Sequence, residues 1–242
     1  MSTGDPTLAV VVVAARGGAA LRAALEAAAW ADTRVVLTGD RPRAPRLDSG
    51  EPLLTTVREV AALAVDWVLL LGESERIAGA DIVAVRSAVR RAQGDEVFTL
   101  QAVTSALDLS VRSRFRLARL APRRTPIVAR PGRGIEFDRT RTRVRPLSVD
   151  VIRTRGSTLG EAMEIAAAEA TTLAALVHAT GDRSHGLVRQ PVAASLRSLT
   201  ARSLTGRLGL GRWVIAVLEG YCVVIAQTKV WELRRDSGPV FG

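Results

Sequence analysis

The chain has 242 residues and a formal net charge of +10, with Lys229 as its single lysine among many arginines. This length suffices for one α/β domain with an ordinary core and an appendage. The basic surplus attracts nucleic acid, anionic lipid or phosphorylated substrates, although arginine-rich usage is equally typical of a GC-rich genome. The one cysteine, Cys222, excludes an internal disulfide and fits a reducing cytoplasm, and the polar first seven residues predict no signal peptide.

The first third of the chain predicts a β-α-β unit. Residues 8–14 are apolar and rich in valine, which is typical of a buried strand, and residues 34–37 predict a second strand. Between them, an alanine-rich stretch places Leu21 and Leu25 on one face of a helix. This order implies a right-handed crossover between two parallel strands. The turn at Gly17 and Gly18 fits either a plain turn or a cradle of backbone N–H groups for a phosphate.

The centre of the chain carries the strongest pattern. Residues 41–52 are rich in proline and charge and predict a loop, and residues 53–65 predict a helix. The continuous apolar run at residues 67–71 predicts a strand that is buried on both faces. Glu73 and Glu75 follow directly, and ligand sites of open α/β sheets lie at the carboxyl ends of strands. An amphipathic helix at residues 81–91 and a strand at 97–103 complete this part.

The second half is basic and then helical. Arginines concentrate at residues 112–124 and 145–155, and residues 157–180 predict a long helix. Residues 187–208 interleave arginine with apolar side chains, and residues 211–231 are apolar with charged interruptions. No charge-free run is long enough to cross a bilayer. This last segment fits attachment to an anionic membrane surface or a helical hairpin that packs on the domain, and the two are compatible.

Three stretches of the chain resemble family-2 glycosyltransferases, in particular the branch that builds lipopolysaccharide core. Residues 66–76 (DWVLLLGESER) resemble that family's DWVLxLDADER segment. Residues 30–36 (WADTRVV) resemble the segment that contains its second strand. Trp213, Ala216, Tyr221 and residues 229–235 (KVWELRR) resemble its C-terminal pattern. The family's two metal-binding aspartates, the D-x-D motif, fall on Gly72 and Ser74.

The resemblance implies a donor site with several replaced residues. It places the uridine-binding aspartate on Thr38, with Asp40 as a substitute if the loop is shifted. It places a donor-facing polar triplet on residues 55–57, and Arg58, which follows them, is a further candidate for donor binding together with Glu73 and Glu75. If a divalent metal binds, Mg²⁺ or Mn²⁺, it would be held by Glu73 and Glu75. Residues two apart in an extended segment share a side, so this one-residue shift from D-x-D points both away from the family's direction.

The candidate catalytic bases in this interpretation are two acids of a single short segment. Glu136 and Asp138 are the only carboxylates near the region where the family carries its base. The alternative is that they are loop acids that pair with nearby arginines.

The predicted fold is therefore α/β: a GT-A-like nucleotide-binding sheet, parallel or mixed, flanked by helices, in residues 1–155, with a helical extension in residues 156–242. The predicted function is a cytoplasmic glycosyltransferase-like protein of cell-envelope polysaccharide or lipopolysaccharide assembly, peripheral on the inner membrane face. Its partners would be a nucleotide-sugar donor, a lipid-linked acceptor and anionic lipid. The alternative is an inactive homologue that serves as a scaffold or regulator for a protein partner. Nucleic-acid binding is disfavoured because aromatic stacking residues are scarce.

Overall fold

The computed structural model describes residues 5–39, 50–130, 134–179 and 210–236. Its strands are β1 (Leu8–Val13), β2 (Thr33–Leu37), β3 (Leu53–Leu54), β4 (Trp67–Gly72), β5 (Glu75–Ile77), β6 (Glu96–Ala106), β7 (Leu109–Pro122), β8 (Ile127–Arg130), β9 (Gly134–Phe137) and β10 (Arg143–Thr154). Its α-helices are α1 (Gly18–Ala27), α2 (Gly79–Arg91), α3 (Leu159–Ala179) and α4 (Leu210–Asp236).

Eight of these strands form one mixed sheet, in the order β3-β2-β1-β4-β7-β6-β10-β5. Strands β3, β2, β1 and β4 run parallel to one another, and β7 is antiparallel to both of its neighbours. Strand β10 is parallel to β6, and the short β5 is antiparallel to β10. Strands β8 and β9 form a separate antiparallel pair. Because β1, β2 and β4 are parallel neighbours, their carboxyl ends lie side by side at one edge.

The alternation of side chains along the central strands divides the core between the two faces of the sheet. Leu8, Val10 and Val12 of β1 belong to a cluster that includes the buried side chains of α1 and α2. Ala9 and Val11 belong to a second cluster, which includes residues of α3, α4 and the β8–β9 pair. Side chains of a strand alternate between faces, so a strand with both sets buried must be apolar throughout. The sheet is thus covered on both faces by helices.

The predicted α/β class is confirmed: a mixed sheet flanked by helices, with a helical C-terminal part, as expected of a GT-A-like fold. The predicted strands at residues 8–14, 34–37, 67–71 and 97–103 correspond to β1, β2, β4 and β6. The predicted helices in residues 19–29, 81–91 and 157–180 correspond to α1, α2 and α3, and that in residues 211–231 to α4.

The helix predicted at residues 53–65 was wrong. The structure has the two-residue strand β3, which pairs with Val36 and Leu37 of β2, and a short 3₁₀ turn at Glu59–Ala62. The Glu59 carboxylate accepts hydrogen bonds from the Thr55 amide at 3.0 Å and from the hydroxyls of Thr55 and Thr56. These local side-chain contacts compete with helical backbone pairing.

The C-terminal helices share the core of the sheet. Leu176 of α3 and Val230 of α4 belong to the same buried cluster as Val11 and Leu70. The predicted division between residues 155 and 156 falls in the connection between β10 and α3. The basic segment at residues 187–208 lies outside the described residues. Within the described part of the chain, no helix combines the length and apolarity that a membrane crossing requires.

Candidate functional site

A part-open cavity of about 90 Å³ lies at the carboxyl ends of β1 and β4. Glu73 and Glu75 line it after β4, and β7, β9 and β10 close one side. Helices α3 and α4 close the other side. Its charged lining residues are Glu73, Glu75, Glu169, Arg119, Arg153 and Arg155. The parallel arrangement of β1 and β4 makes this edge the expected ligand position for an open α/β sheet.

The loop between β1 and α1 is held by the Glu73 carboxylate. Its Oε2 atom accepts hydrogen bonds from the backbone N–H groups of Ala15, Arg16 and Gly17, at 2.5, 2.8 and 3.1 Å. Gly17 adopts a positive φ of 78°, which an L side chain rarely tolerates. The loop therefore does form a cradle of N–H groups of the kind that binds anions. Its anion is the protein's own carboxylate.

Glu75 is the centre of a buried ion-pair network. Its Oε1 accepts hydrogen bonds from Arg119 Nη2 at 3.1 Å and from Nε and Nη2 of Arg153 at 2.9 and 2.5 Å. Its Oε2 accepts a hydrogen bond from the Gly72 amide at 2.7 Å. Burial by itself raises the pKa of the Glu75 carboxyl, but the two guanidinium charges and these hydrogen bonds outweigh it and lower the pKa to about 2. Glu75 is therefore a carboxylate at neutral pH, with both oxygens engaged.

Arg119 enters this network from the middle of the sheet. Its side chain is 3% exposed, and burial lowers the pKa of its guanidinium, an effect that Glu75 opposes. Its Nη1 also donates to the Ile135 carbonyl at 2.8 Å, which ties the β8–β9 pair to β7. The arginine-rich stretch at residues 112–124 thus supplies a buried structural cation as well as surface charge.

A second ion pair lies across the cavity, between β10 and the two C-terminal helices. Arg155 donates from Nη2 to Glu169 at 2.8 Å and from Nη1 to the Cys222 sulfur at 3.1 Å. Glu169 also accepts a hydrogen bond from the Ser74 hydroxyl at 2.5 Å. Burial raises the pKa of the Cys222 thiol, although Arg155 opposes this effect. The thiol is therefore protonated at neutral pH and is a poor nucleophile.

These carboxylates do not match the needs of a divalent metal. Mg²⁺ requires near-octahedral oxygen ligands, and both oxygens of Glu75 already face guanidinium or amide donors. Three arginine side chains line the same cavity and would repel a cation. Within the described ranges, no group of three or more His, Cys, Asp or Glu side chains is arranged to hold a metal ion.

The remaining donor-site candidates are not among the residues that line this cavity. Thr38 is fully buried at the end of β2, where its hydroxyl lies 3.1 Å from the Gly39 carbonyl and 3.3 Å from that of Leu54. Arg58 is exposed and precedes the 3₁₀ turn. Asp40 lies outside the described residues. The structure therefore brings Glu73 and Glu75 together and leaves Thr38 and Arg58 elsewhere.

The two candidate bases also lie apart from the cavity lining. Glu136 is 1% exposed and pairs with Arg139 at 2.6 Å. Asp138 accepts hydrogen bonds from the Thr140 amide at 3.1 Å and the Thr140 hydroxyl at 2.8 Å, which organises the turn after β9. The expected pairing of a local acid with a nearby arginine is present for Glu136, although that residue is buried and not on an exposed loop.

Several residues of the cavity have no counterpart among the sequence candidates: Arg119, Arg153, Arg155, Glu169 and Cys222. Arg153 and Arg155 are two apart at the end of a strand, a spacing that favours a shared side. Glu169 is a lone acid within an otherwise apolar helical run, IAAAEA. These two signals are readable in the sequence, whereas their meeting depends on the packing of α3 over β10.

Comparison with solved structures yields several likenesses. No protein-family model matches the chain, and no curated protein matches it. Among solved structures, the chain is similar to the crystal structure of residues 1–349 of TarS from S. aureus, with a TM-score of 0.38 and 11% sequence identity. That likeness covers 95% of this chain and 92% of the TarS chain.

Proposed function

We propose that this chain is a glycosyltransferase-like protein of cell-envelope polysaccharide or lipopolysaccharide assembly that does not carry out metal-dependent sugar transfer. In this proposal it acts as a scaffold or regulatory partner for another protein of the same pathway. The proposal rests on the resemblance of residues 66–76 and on the α/β fold. The observation that carries it is the commitment of both Glu75 oxygens to Arg119, Arg153 and the Gly72 amide.

The metal-binding aspartates that the resemblance implies are absent, and the nearby carboxylates are already bound to other groups of the protein. Gly72 and Ser74 stand where the resemblance implies metal-binding aspartates, and Ser74 donates its hydroxyl to Glu169. Glu73 neutralises the N–H cradle of the β1–α1 loop. A diphosphate would have to displace that carboxylate, and the displaced charge would then be buried without its partners, which is costly.

Isothermal titration calorimetry tests the proposal. The full chain is titrated with UDP-, GDP- and ADP-sugars, each with and without Mn²⁺ or Mg²⁺, and we expect no metal-dependent heat of binding. Micromolar binding that requires Mn²⁺ would refute the proposal. In that case Glu75→Gln, compared with Asp138→Asn outside the cavity, decides whether Glu75 holds the metal.

An active transferase is the second candidate, and one observation favours it. The cavity lies at the carboxyl ends of β1 and β4, where open α/β sheets bind their ligands. Activity there would require Glu73 or Glu75 to exchange its present partners for Mg²⁺ or Mn²⁺ in the presence of a nucleotide sugar. It would also require a base from outside the cavity lining, such as Glu136 or Asp138. The same calorimetric titration separates the two candidates.

We further propose that the protein attaches to the anionic inner membrane face through α4. The exposed apolar side chains of Val217, Val224 and Trp231 recur every seven residues, close to two helical turns, and so follow one side of the helix. Arg235 lies over the Trp231 ring at 5.1 Å. Apolar side chains beside basic ones are typical of interfacial helices.

Liposome flotation tests this attachment. We expect flotation with vesicles that contain anionic lipid, less at high salt, and less again for the double variant Val224→Ser, Trp231→Ser. Equal flotation with neutral vesicles, or none with anionic ones, would show that α4 is a packing element only.

A further inference from the structure

Helix α4 contains a glycine near its middle that its packing does not require. Gly220 is buried, but a Cβ there meets nothing within 4 Å among the described residues, so an alanine would fit. Gly156 differs, because a Cβ there would lie 2.6 Å from the Glu161 side chain. Glycine is the least favourable residue in a helix interior after proline, and helices often bend at it. Gly220 is therefore the point at which α4 bends most easily.

The two halves of α4 on either side of Gly220 are anchored in different parts of the core. Before it, Ile215 and Leu218 are each 3% exposed and belong to a small cluster with one buried alanine of β6 and one of α3. After it, Val230 belongs to the large cluster that includes the central strands of the sheet. Hydrophobic stabilisation grows with the buried apolar area, so the first half of α4 is held less firmly than the second. It can leave its anchor without opening the main core.

The first half of α4 lies against one boundary of the cavity. Leu107, at the tip of the β6–β7 hairpin, packs against the same small cluster as Ile215 and Leu218. A hydrogen bond of 2.8 Å, from the Arg155 amide to the Ser105 carbonyl, joins the hairpin tip to the residue that follows β10. The Arg155 side chain lines the cavity. Residues 210–219 of α4 therefore cover the hairpin tip on the side of the cavity that Arg155 forms.

The polar contact between the cavity and α4 beside Gly220 is weak. The Cys222 sulfur accepts a hydrogen bond from Arg155 Nη1 at 3.1 Å and lies 3.7 Å from the Ala166 carbonyl oxygen. A thiol is a weak donor and a weak acceptor. If Cys222 moves away, Arg155 keeps its ion pair with Glu169, at 2.8 Å through Nη2. Movement of this part of α4 therefore leaves no buried charge without its partner, which would be strongly unfavourable.

We propose that residues 210–219 form a lid that swings about Gly220, away from the β6–β7 hairpin tip, and opens the Arg155 side of the cavity. The movement breaks the contacts of Ile215 and Leu218 and leaves those of Val230 in place. Hinges of this kind are a few residues, often small ones, that absorb a change in backbone angles. The inference goes beyond the proposed function, because it concerns access to the cavity and does not depend on the binding of a nucleotide sugar.

Distances between spin labels on the full chain, measured by double electron–electron resonance, test the proposal. Cys222→Ser removes the one native thiol and keeps a hydrogen-bond acceptor at this position. One label is placed at Asp108→Cys on the exposed hairpin tip, and the other at Val217→Cys on the lid, where the native side chain is 39% exposed. The reference pair combines Asp108→Cys with Val224→Cys, which lies beyond the hinge. We expect two distances for the lid pair, one short and one longer, and a single distance for the reference pair.

Further substitutions in the labelled chain locate the hinge. Leu218→Ala weakens the anchor of the lid and should raise the ratio of open to closed chains about tenfold or more. Ile215→Val is a milder change in the same cluster and takes its place if that variant does not fold. Added to either, Gly220→Ala should lower the ratio about fivefold, because alanine favours the unbent helix. The matched control is Gly160→Ala in α3, since a Cβ there also meets nothing within 4 Å among the described residues.

Three results would overturn the proposal. A single distance for the lid pair, even with the weakened anchor, would show that residues 210–219 do not move. Two distances for the reference pair would show that the whole of α4 moves. An effect of Gly220→Ala no larger than that of Gly160→Ala would show that the bend is not at Gly220.

Discussion

At the scale of single residues, Glu75 is the carboxylate on which the cavity's charge balance depends. Its side chain is 2% exposed, and it faces two arginines whose side chains are 3% and 13% exposed. Loss of one partner from a buried ion pair leaves an uncompensated charge, which typically costs roughly 3–5 kcal/mol. We therefore expect Glu75→Gln to lower the free energy of unfolding by about that amount, as measured by urea denaturation.

An exposed ion pair provides the control for this substitution. Asp5 pairs with Arg90, and both side chains are more than half exposed, at 71% and 59%. Exposed pairs contribute about 0–1 kcal/mol, so Asp5→Asn is expected to change the unfolding free energy little. If Glu75→Gln lowers the free energy of unfolding no more than Asp5→Asn does, the buried network does not stabilise the fold.

The lowered pKa of Glu75 predicts that the free energy of unfolding depends on pH. Its pKa is about 2 in the folded chain, compared with an ordinary value of 4.5, so between these pH values the unfolded chain binds more protons. The stabilisation of the folded chain by ionised Glu75 is therefore fully present above pH 4.5. It is lost as the pH falls towards 2, by roughly 3 kcal/mol in total. We expect the difference in unfolding free energy between the wild-type chain and Glu75→Gln to shrink over that interval. A difference that stays constant or grows on acidification would contradict this assignment.

The sequence located this part of the site but not its chemistry. The apolar run before Glu73 and Glu75 identifies the end of β4, and both acids do line the cavity. Their partners were not predictable from local pattern. Arg119 and Arg153 are 44 and 78 residues from Glu75 along the chain, and only the order of the strands brings them to it. The Glu73 contact with the β1–α1 loop spans 56–58 residues in the same way.

At the scale of elements, the sequence predicts the segments with a regular pattern of apolar residues. It does not predict the segment in which local side-chain hydrogen bonds compete with a helix. Strands β1 and β4 are continuous apolar runs because both of their faces are buried. Residues 53–65 carry a helical spacing of apolar side chains, but Glu59 binds Thr55 and Thr56 and holds the segment in a turn. A periodicity rule counts apolar positions and does not register such side-chain contacts with the backbone.

The connection from β10 to α3 depends on a glycine. Gly156 has a φ of +80°, and a Cβ there would lie 2.6 Å from the Glu161 side chain. The Glu161 carboxylate accepts a hydrogen bond from the Ser157 amide at 3.0 Å at the start of α3. Displacing the Glu161 side chain to make room for a Cβ at residue 156 would weaken this hydrogen bond. We expect Gly156→Ala to lower the free energy of unfolding by roughly 1–3 kcal/mol, measured by thermal or urea denaturation.

The control glycine is Gly160, in the first turn of the same helix. A Cβ at Gly160 meets nothing within 4 Å. Alanine is a better helix former than glycine, so Gly160→Ala is expected to raise stability by up to about 1 kcal/mol. Equal effects of the two substitutions would show that neither the left-handed backbone nor the Glu161 contact constrains this connection.

At the scale of the whole molecule, the two segments that composition separates share a single core. Residues 1–155 and 156–242 were predicted as a sheet domain and a helical extension. In the structure, Ala174, Leu176 and Val230 of the helices lie in one buried cluster with Val11 and Leu70 of the sheet. The sequence predicts both long helices, but the surface that covers them is decided by packing. The shared cluster predicts that the two segments unfold together.

Paired substitutions in α4 test this cooperativity in the full chain. Val230 is 6% exposed in the shared cluster, and Val230→Ala should lower the free energy of unfolding by roughly 2 kcal/mol. Val224, on the same helix, is 49% exposed, so Val224→Ala should change it by less than about 0.5 kcal/mol. Unfolding is followed by far-UV circular dichroism for the helices and by near-UV circular dichroism for the sheet. Trp213 and Trp231 of α4 are replaced by phenylalanine in both chains, so that the near-UV signal includes Trp67, which lies in β4 with its ring 5.8 Å from that of Phe98, and no tryptophan of α4. We expect Val230→Ala to shift both transitions by the same amount, because its contacts with the sheet are lost when either segment unfolds. A shift of the helical transition alone would show that the helical segment unfolds independently of the sheet.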